Sequence, residues 1–432
     1  MTHLPFLSPT YAGALVVRDS QLDRSRDRVS HGDMSIEGAC APLFAQVRDE
    51  FERNFAERGE VGASVSVTVD GETLVDLWGG VAAPDRPWAE DTLTNVWSAT
   101  KGATALCAHI LAARGQLDLN APVVTYWPEF GKHGKDVILV RHLLNHQAGL
   151  PALRKPPPAG CFYDWDLMVD ALANEEPFWR PGTRNGYHAL TFGFLVGEVV
   201  RRVSGRPLGE FFRDEVAGPL GLDFWLGLPA SEEDRVAPTI PADPPGPGDP
   251  VSSLYVAAFT DPTSVQALML VNTGGYMTTP GESDSRAAHA AVIGAVGGIT
   301  NARGLAGMYR GLPDLVGREQ LAIMGAVSSA TSCDAVLLAP TRWSLGFTKT
   351  MDNRYLPGAD SEGLLLSEEA FGHVGMGGSV GFVDPRARLS FGYAMSRQGP
   401  GPGVNERGQS LIDAVYRALG YHRIGADGPW YA

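Results

Sequence analysis

Lysine is the scarce residue of this chain. Only five occur in 432 residues (Lys101, Lys132, Lys135, Lys155 and Lys349), so lysine does not serve here as general surface filler. Basic residues are also outnumbered, 35 against 49 acidic ones, and the formal charge of -14 with no basic cluster excludes a nucleic-acid surface, which needs grouped Lys and Arg. Cysteine is rare and scattered: Cys40, Cys107, Cys161 and Cys333 show no C-x-x-C spacing, so neither a zinc ribbon nor a disulfide framework is expected. A reducing, cytoplasmic setting fits that usage. No apolar run reaches the roughly 18 residues that span a bilayer, so no membrane span is expected. Residues 1–33 lack the apolar stretch and small-residue cleavage site of an export signal, and read as a loosely ordered arm.

What is present is 44% hydrophobic residues, enough for one large core or two modest ones. From Ala41 to Arg58 the apolar positions Leu43, Phe44, Val47, Phe51 and Phe55 recur at helical spacing and predict an amphipathic helix. Alternation over Ala63–Val69 and Glu72–Gly79 around Asp70-Gly71 predicts a hairpin. A short helix is predicted at Val140–His146. Helices and loops dominate to about residue 290, with breakers at Pro156-Pro157-Pro158 and between Pro241 and Pro250. Strand-like alternation returns at Trp343–Thr348, Ser379–Val383 and Leu389–Met395, and a closing helix is predicted from Gly408 to Leu419. Strands at both ends with helices between them predict an α/β protein of the α+β type. Its sheet domain would comprise 34–100 and 291–432, and a mainly helical domain 101–290, after the arm of 1–33.

One of the rare lysines opens an apolar helix: Val96-Trp97-Ser98-Ala99-Thr100-Lys101-Gly102, running on to Gly115. Residues three apart share a helix face, so the Lys101 amine can lie beside the Ser98 hydroxyl. A serine needs a base to take its proton, and a lysine serves if burial lowers its pKa. A helix N-terminus adds free N–H groups where negative charge develops on a substrate carbonyl. The same four residues also suit a capping serine followed by a solvated lysine.

With its neighbours in order, the chain resembles the serine-reactive family of class C beta-lactamases, D-Ala-D-Ala carboxypeptidases and related esterases, and is most similar to the family VIII carboxylesterases. The blocks that carry the resemblance are Val96–Lys101, Arg114-Gly115-Gln116-Leu117-Asp118-Leu119, His142–Pro151, Tyr187-His188-Ala189 and His373-Val374-Gly375-Met376-Gly377-Gly378. It implies a beta-lactamase-like fold, with an antiparallel sheet flanked by helices and a mainly helical insertion. It also implies that Ser98 is acylated, Lys101 acts as base and Tyr187 relays the proton. A phenol held beside an ammonium is expected to be partly deprotonated. The oxyanion hole would fall on the backbone N–H groups of Ser98 and Met376, and substrate would be bound along His373, Gly375 and Gly377, with Gly375 letting substrate approach the strand closely. The implied substrate is a small-molecule ester, and neither a metal nor an organic cofactor is required.

Two departures direct the chemistry. Ala189 stands where the lactamases have Asn, and His373 where they have the lysine that helps to hold a beta-lactam carboxylate. Both favour esters over lactams. A lactamase or peptidase, with weak cephalosporin cleavage as a side activity of the esterase, and a silent binding protein on the same fold are the alternatives. Gly377-Gly378-Ser379-Val380-Gly381 also matches G-x-S-x-G, but that elbow demands a following helix, whereas a strand is expected after Ser379. His142 and His146, four apart, lack the glutamate of H-E-x-x-H and are expected to brace a turn. The aromatic residues Trp127, Phe162, Tyr163, Trp165, Phe178, Trp179, Phe224 and Trp225 are expected in the core, a few of them lining an acyl or alcohol pocket.

Overall fold

The structure is a computed structural model that describes residues 35–246, 248–249, 251–423 and 428–432. The expected arm of 1–33 lies outside the described residues. The main sheet is formed by β1 (Ile36–Cys40), β2 (Gly62–Val69), β3 (Glu72–Ala83), β4 (Ser329–Thr331), β5 (Thr341–Trp343), β6 (Thr348–Lys349), β7 (Phe371–Val374), β8 (Val380–Asp384) and β9 (Leu389–Met395). Their order is β1-β3-β2-β9-β8-β7-β6-β5-β4, antiparallel throughout, with the short strand Arg86–Pro87 added against β3. The β2–β9 pairing, Val65 opposite Tyr393, joins the two ends of the chain.

The alternation in β2 and β9 sorts side chains between two helical layers. Val65, Val67, Phe391 and Tyr393 face a core shared with α1 (Ala45–Glu57) and the closing helix Glu406–Ala418. Ser64, Ser66, Ser390 and Gly392 face the other way, yet they are buried too, because the helix Ala302–Arg310 lies over them. Small side chains on that face let a helix approach closely, so the polar half of the alternation marks a tight contact instead of solvent. Ser64 Oγ accepts the N–H of Ala302 at 3.2 Å and fixes the helix start.

α2 (Thr100–Ala113) runs through the largest core, packed against α3 (Thr191–Ser204) on one side and Leu312–Gly325 on another. A four-stranded sheet of Phe224–Leu226, Gly298–Thr300, Leu93–Asn95 and Val236–Ala237 ties residues before α2 to the region beyond α3. Two short helices, α4 (Ser253–Thr260) and α5 (Val265–Val271), stand at one edge of the cleft. Among the described residues no single helix is long and apolar enough to cross a membrane.

Three local expectations are corrected. The helix predicted from Ala41 begins as a 3-10 turn at Pro42–Phe44, and Leu43 is 64% exposed, because Pro42 redirects the chain before α1. Trp343–Thr348 is not one strand: β5 and β6 pair with each other through a turn in which Ser344 N–H donates to Phe347 O at 2.9 Å and Gly346 takes φ 93°. The predicted helix at Val140–His146 ends at Leu144, and His146 adopts φ 63°.

Candidate active site

Strand Leu93–Asn95 delivers the chain to a single 3-10 turn, Trp97–Ala99, that runs directly into α2. Trp97 holds φ 48°, a conformation costly for a non-glycine residue, and its N–H donates to Asn95 Oδ1 at 2.9 Å. This bend places Ser98 at the mouth of α2 and at the floor of an apolar cleft of about 1210 Å³, counting its open mouth. Lys101 is completely buried, which rules out the solvated alternative.

The contacts of Lys101 define its chemistry. Its Nζ lies 2.9 Å from Ser98 Oγ, 2.7 Å from the carbonyl oxygen of Ala189 and 2.9 Å from that of Ala295. No carboxylate acts on it, and burial alone pushes its pKa well below that of an ordinary lysine. A neutral amine has two N–H bonds and one lone pair. As an ammonium Lys101 donates to Ser98 Oγ and to both carbonyls; in the neutral form that burial favours, the carbonyls keep the two N–H bonds and the lone pair turns to the Ser98 hydroxyl. Ala189, the departure from Asn, therefore contributes through its main chain.

Tyr187 sits beside this pair, with the Lys101 Nζ 4.9 Å from its ring centre and its hydroxyl hydrogen-bonded to Ser98. Burial raises the phenol's pKa, contrary to the expected partial deprotonation. Burial, with the charge of Asp334, outweighs the hydrogen bond from Ser98 that favours the phenolate, and Tyr187 stands as a protonated donor. Its position comes from residues that sequence reasoning missed. Asp334 accepts N–H bonds from Tyr187, Val336 and Leu337 at 2.9, 2.9 and 3.0 Å, and Trp343 stacks on the Tyr187 ring at 5.3 Å and 4°. Asp334 is 147 positions from Tyr187, and no short spacing signals such a contact.

Histidines surround the site in neutral form. His188 Nδ1 faces the Gly186 carbonyl at 2.7 Å and so donates, while Nε2 accepts the Leu150 N–H at 2.9 Å. His146 Nδ1 accepts the His188 N–H at 3.1 Å, and His142 Nδ1 accepts that of Leu139, so both turn histidines hold backbone. Burial lowers His188 and His373 to about 3 and His146 well below its usual value. His373, on β7, lines the cleft; its Nδ1 faces the Val374 carbonyl at 2.8 Å and donates, leaving Nε2 as a buried acceptor without a partner among the described residues.

The other expected binding positions divide. Met376 lines the cleft, and among the described residues the N–H groups of Ser98 and Met376 make no hydrogen bond. Gly375 and Gly377 do not line it. A Cβ on Gly375 would lie 2.2 Å from both Val96 O and Ser379 Oγ, so the close approach it permits is that of the Ser98 turn, not of substrate. A Cβ on Gly377 would strike Gln398 at 2.5 Å. Ser379 is fully buried, donates to Val96 O at 2.9 Å and leads into β8, which leaves it no access to substrate. The eight aromatics of the central region are likewise absent from the cleft, whose aromatic walls are Trp97, Tyr187, Tyr255 and Trp343.

An antiparallel sheet between helical layers, with a serine and a dry lysine at the mouth of a central helix, defines a serine-hydrolase scaffold of the beta-lactamase type. Residues 47–416 match the beta-lactamase family, and the chain belongs to it. It is 34% identical to the Esterase/beta-lactamase LipL of Mycobacterium tuberculosis over 83% of this chain and 82% of that protein. A family VIII carboxylesterase structure is 38% identical, covers 89% of this chain and 100% of its own, and superposes with a TM-score of 0.78. EstA from Arthrobacter nitroguajacolicus is 31% identical over 88% of this chain and 98% of its own, at a TM-score of 0.76.

Proposed function

We propose that this protein hydrolyses small carboxylic esters through an acyl-enzyme intermediate, with Ser98 as nucleophile and Lys101 as base. The observation that carries the reading is the Lys101 Nζ, 2.9 Å from Ser98 Oγ with its other hydrogen bonds both to carbonyl oxygens. Ser98 Oγ attacks the ester carbonyl as its proton passes to Lys101. The oxyanion is received by the N–H groups of Ser98 and Met376. As the ester C–O bond breaks, Tyr187 gives its proton to the departing alkoxide and regains one from Lys101. Water then attacks the acyl group, losing a proton to Lys101, and Ser98 leaves with that proton restored.

The cleft supports esters over lactams. Among the described residues that line it, Arg342 is paired with Glu368 at 2.6 Å and His373 is neutral, so neither offers a free cation to a substrate carboxylate. The similarity to a family VIII carboxylesterase supports this choice, and the similarity to LipL, an esterase/beta-lactamase, supports ester hydrolysis. The test pairs turnover of p-nitrophenyl acetate and of a cephalosporin with peptide mass mapping after a phosphonate ester. Ester turnover and an adduct on Ser98 are expected. Hydrolysis of the lactam alone, or an adduct elsewhere, overturns the reading.

A further inference from the structure

Of the twelve large apolar side chains exposed among the described residues, four lie within 21 positions of one another: Val251, Val256, Phe259 and Val271, exposed by 39, 51, 60 and 46%. They belong to α4, α5 and the residue leading into them. These helices meet at 88°, and from Val251 to Gly281 the chain carries a single charged residue, Asp261. In a protein of net charge -14 that is an uncharged island. Monomeric soluble proteins seldom leave such apolar groups clustered at the surface without a use.

The same helices also form a wall of the cleft, through Leu254, Tyr255, Met269 and Leu270, and the exposed Phe259 ring stacks on Tyr255 with centroids 6.5 Å apart. The exposed side chains and the cleft lining thus belong to one element and meet at the Tyr255–Phe259 stack. That element is anchored at its base. Asp360 accepts hydrogen bonds from Ser252 Oγ at 2.8 Å, Ser253 N–H at 3.0 Å and Ser253 Oγ at 2.5 Å, and Gln266 donates to the carbonyls of Ala335 and Val336. With the start of each helix tied down, the exposed Val256 and Phe259 are carried on an element that also lines the cleft.

We propose that the outer face of α4 and α5 docks the enzyme on the surface of aggregated, uncharged ester, so that substrate enters the cleft from the lipid–water interface. The choice of partner rests on the ester reading above. The lack of charge fits a neutral surface: an anionic bilayer calls for Lys or Arg, and this segment has neither. Apolar burial then supplies the attraction, as it does for interfacial helices. Docking beside the cleft wall shortens the path of a poorly soluble ester to Ser98.

The experiment compares the wild-type chain with V256S/F259S, and with V271S as a second variant on the other helix. Flotation with emulsified tributyrin reads docking, and p-nitrophenyl acetate in solution reads the catalytic site. The double variant is expected to lose droplet binding by about tenfold or more, and V271S by less, with soluble turnover within about twofold of wild type. Unchanged turnover also reports that the variants are folded. Wild type that fails to float, or variants that float as well as wild type, overturn the proposal. So does sedimentation showing a wild-type dimer that V256S/F259S dissociates, because the face would then belong to a second copy. Loss of p-nitrophenyl acetate turnover in the wild type would sink the ester reading instead, while flotation is still read independently.

Discussion

Lys101 and Lys349 are both buried lysines close to the sheet, and they lie in different electrostatic surroundings. Lys349, on β6, is 2% exposed and donates to the Glu368 carbonyl at 2.6 Å. Burial lowers its pKa to about 8, and the carboxylates of Glu368, Glu369 and Asp384 pull in the other direction. It remains mostly an ammonium at neutral pH. Lys101 is more deeply desolvated than Lys349 and has no carboxylate acting on it; its Nζ meets two carbonyl oxygens and the Ser98 hydroxyl. Deeper burial and the absence of acidic company act together to favour the neutral amine at Lys101, and carboxylates hold Lys349 closer to an ordinary lysine. Lys135 repeats the Lys349 pattern, donating to the Ala173 carbonyl beside Glu175, with its pKa lowered to about 8.

The contrast can be broken from several sides. Ser98→Ala should lower kcat/KM for p-nitrophenyl acetate by about 10⁴-fold or more; residual activity near wild type would remove Ser98 from the chemistry. Lys101→Arg should cost about 10³-fold, since a guanidinium stays charged and has no lone pair to offer. In the wild type the ester rate should fall on acidification, as the Lys101 amine takes up a proton. Stability should follow the same sign: the folded pKa is depressed, so the unfolded chain binds more protons below its own pKa, and stability is lost as pH falls through the folded value. Lys101→Met, followed by thermal melting across pH, should flatten that slope.

Smaller effects sharpen the comparison. Tyr187→Phe removes a protonated donor and should reduce kcat for a poor leaving alcohol by about 10²-fold, and less for p-nitrophenolate, which needs little protonation. An equal loss on both esters would argue against proton donation. Lys349→Met should leave kcat/KM within about twofold and shift unfolding free energy by only about 1 kcal/mol, the value of one hydrogen bond. A large loss of activity there would erase the distinction between the two lysines.

How far the site is readable from the chain depends on the range of each contact. Ser98 and Lys101 sit one helical turn apart, so their adjacency follows from 3.6-residue geometry. The strand pairs follow from alternation, down to β9, predicted and observed at Leu389–Met395. Asp334, Trp343 and the Ala295 carbonyl reach the site from far along the chain, and nothing local in their neighbourhoods announces it. Gly375 shows the reverse error: its lack of a Cβ was legible as a close approach, but the partner, Val96 and Ser379, was not.

The sequence by itself determined the family, the sheet built from both ends of the chain, and the pairing of a serine with a rare lysine. These rest on periodicity and on short blocks in a particular order, which are local properties. Only the tertiary structure decided that Lys101 is dry and without an acid, that the Tyr187 phenol keeps its proton, and which glycines meet protein instead of substrate. Protonation states depend on burial and on neighbours brought in across hundreds of residues, and a linear pattern does not contain them.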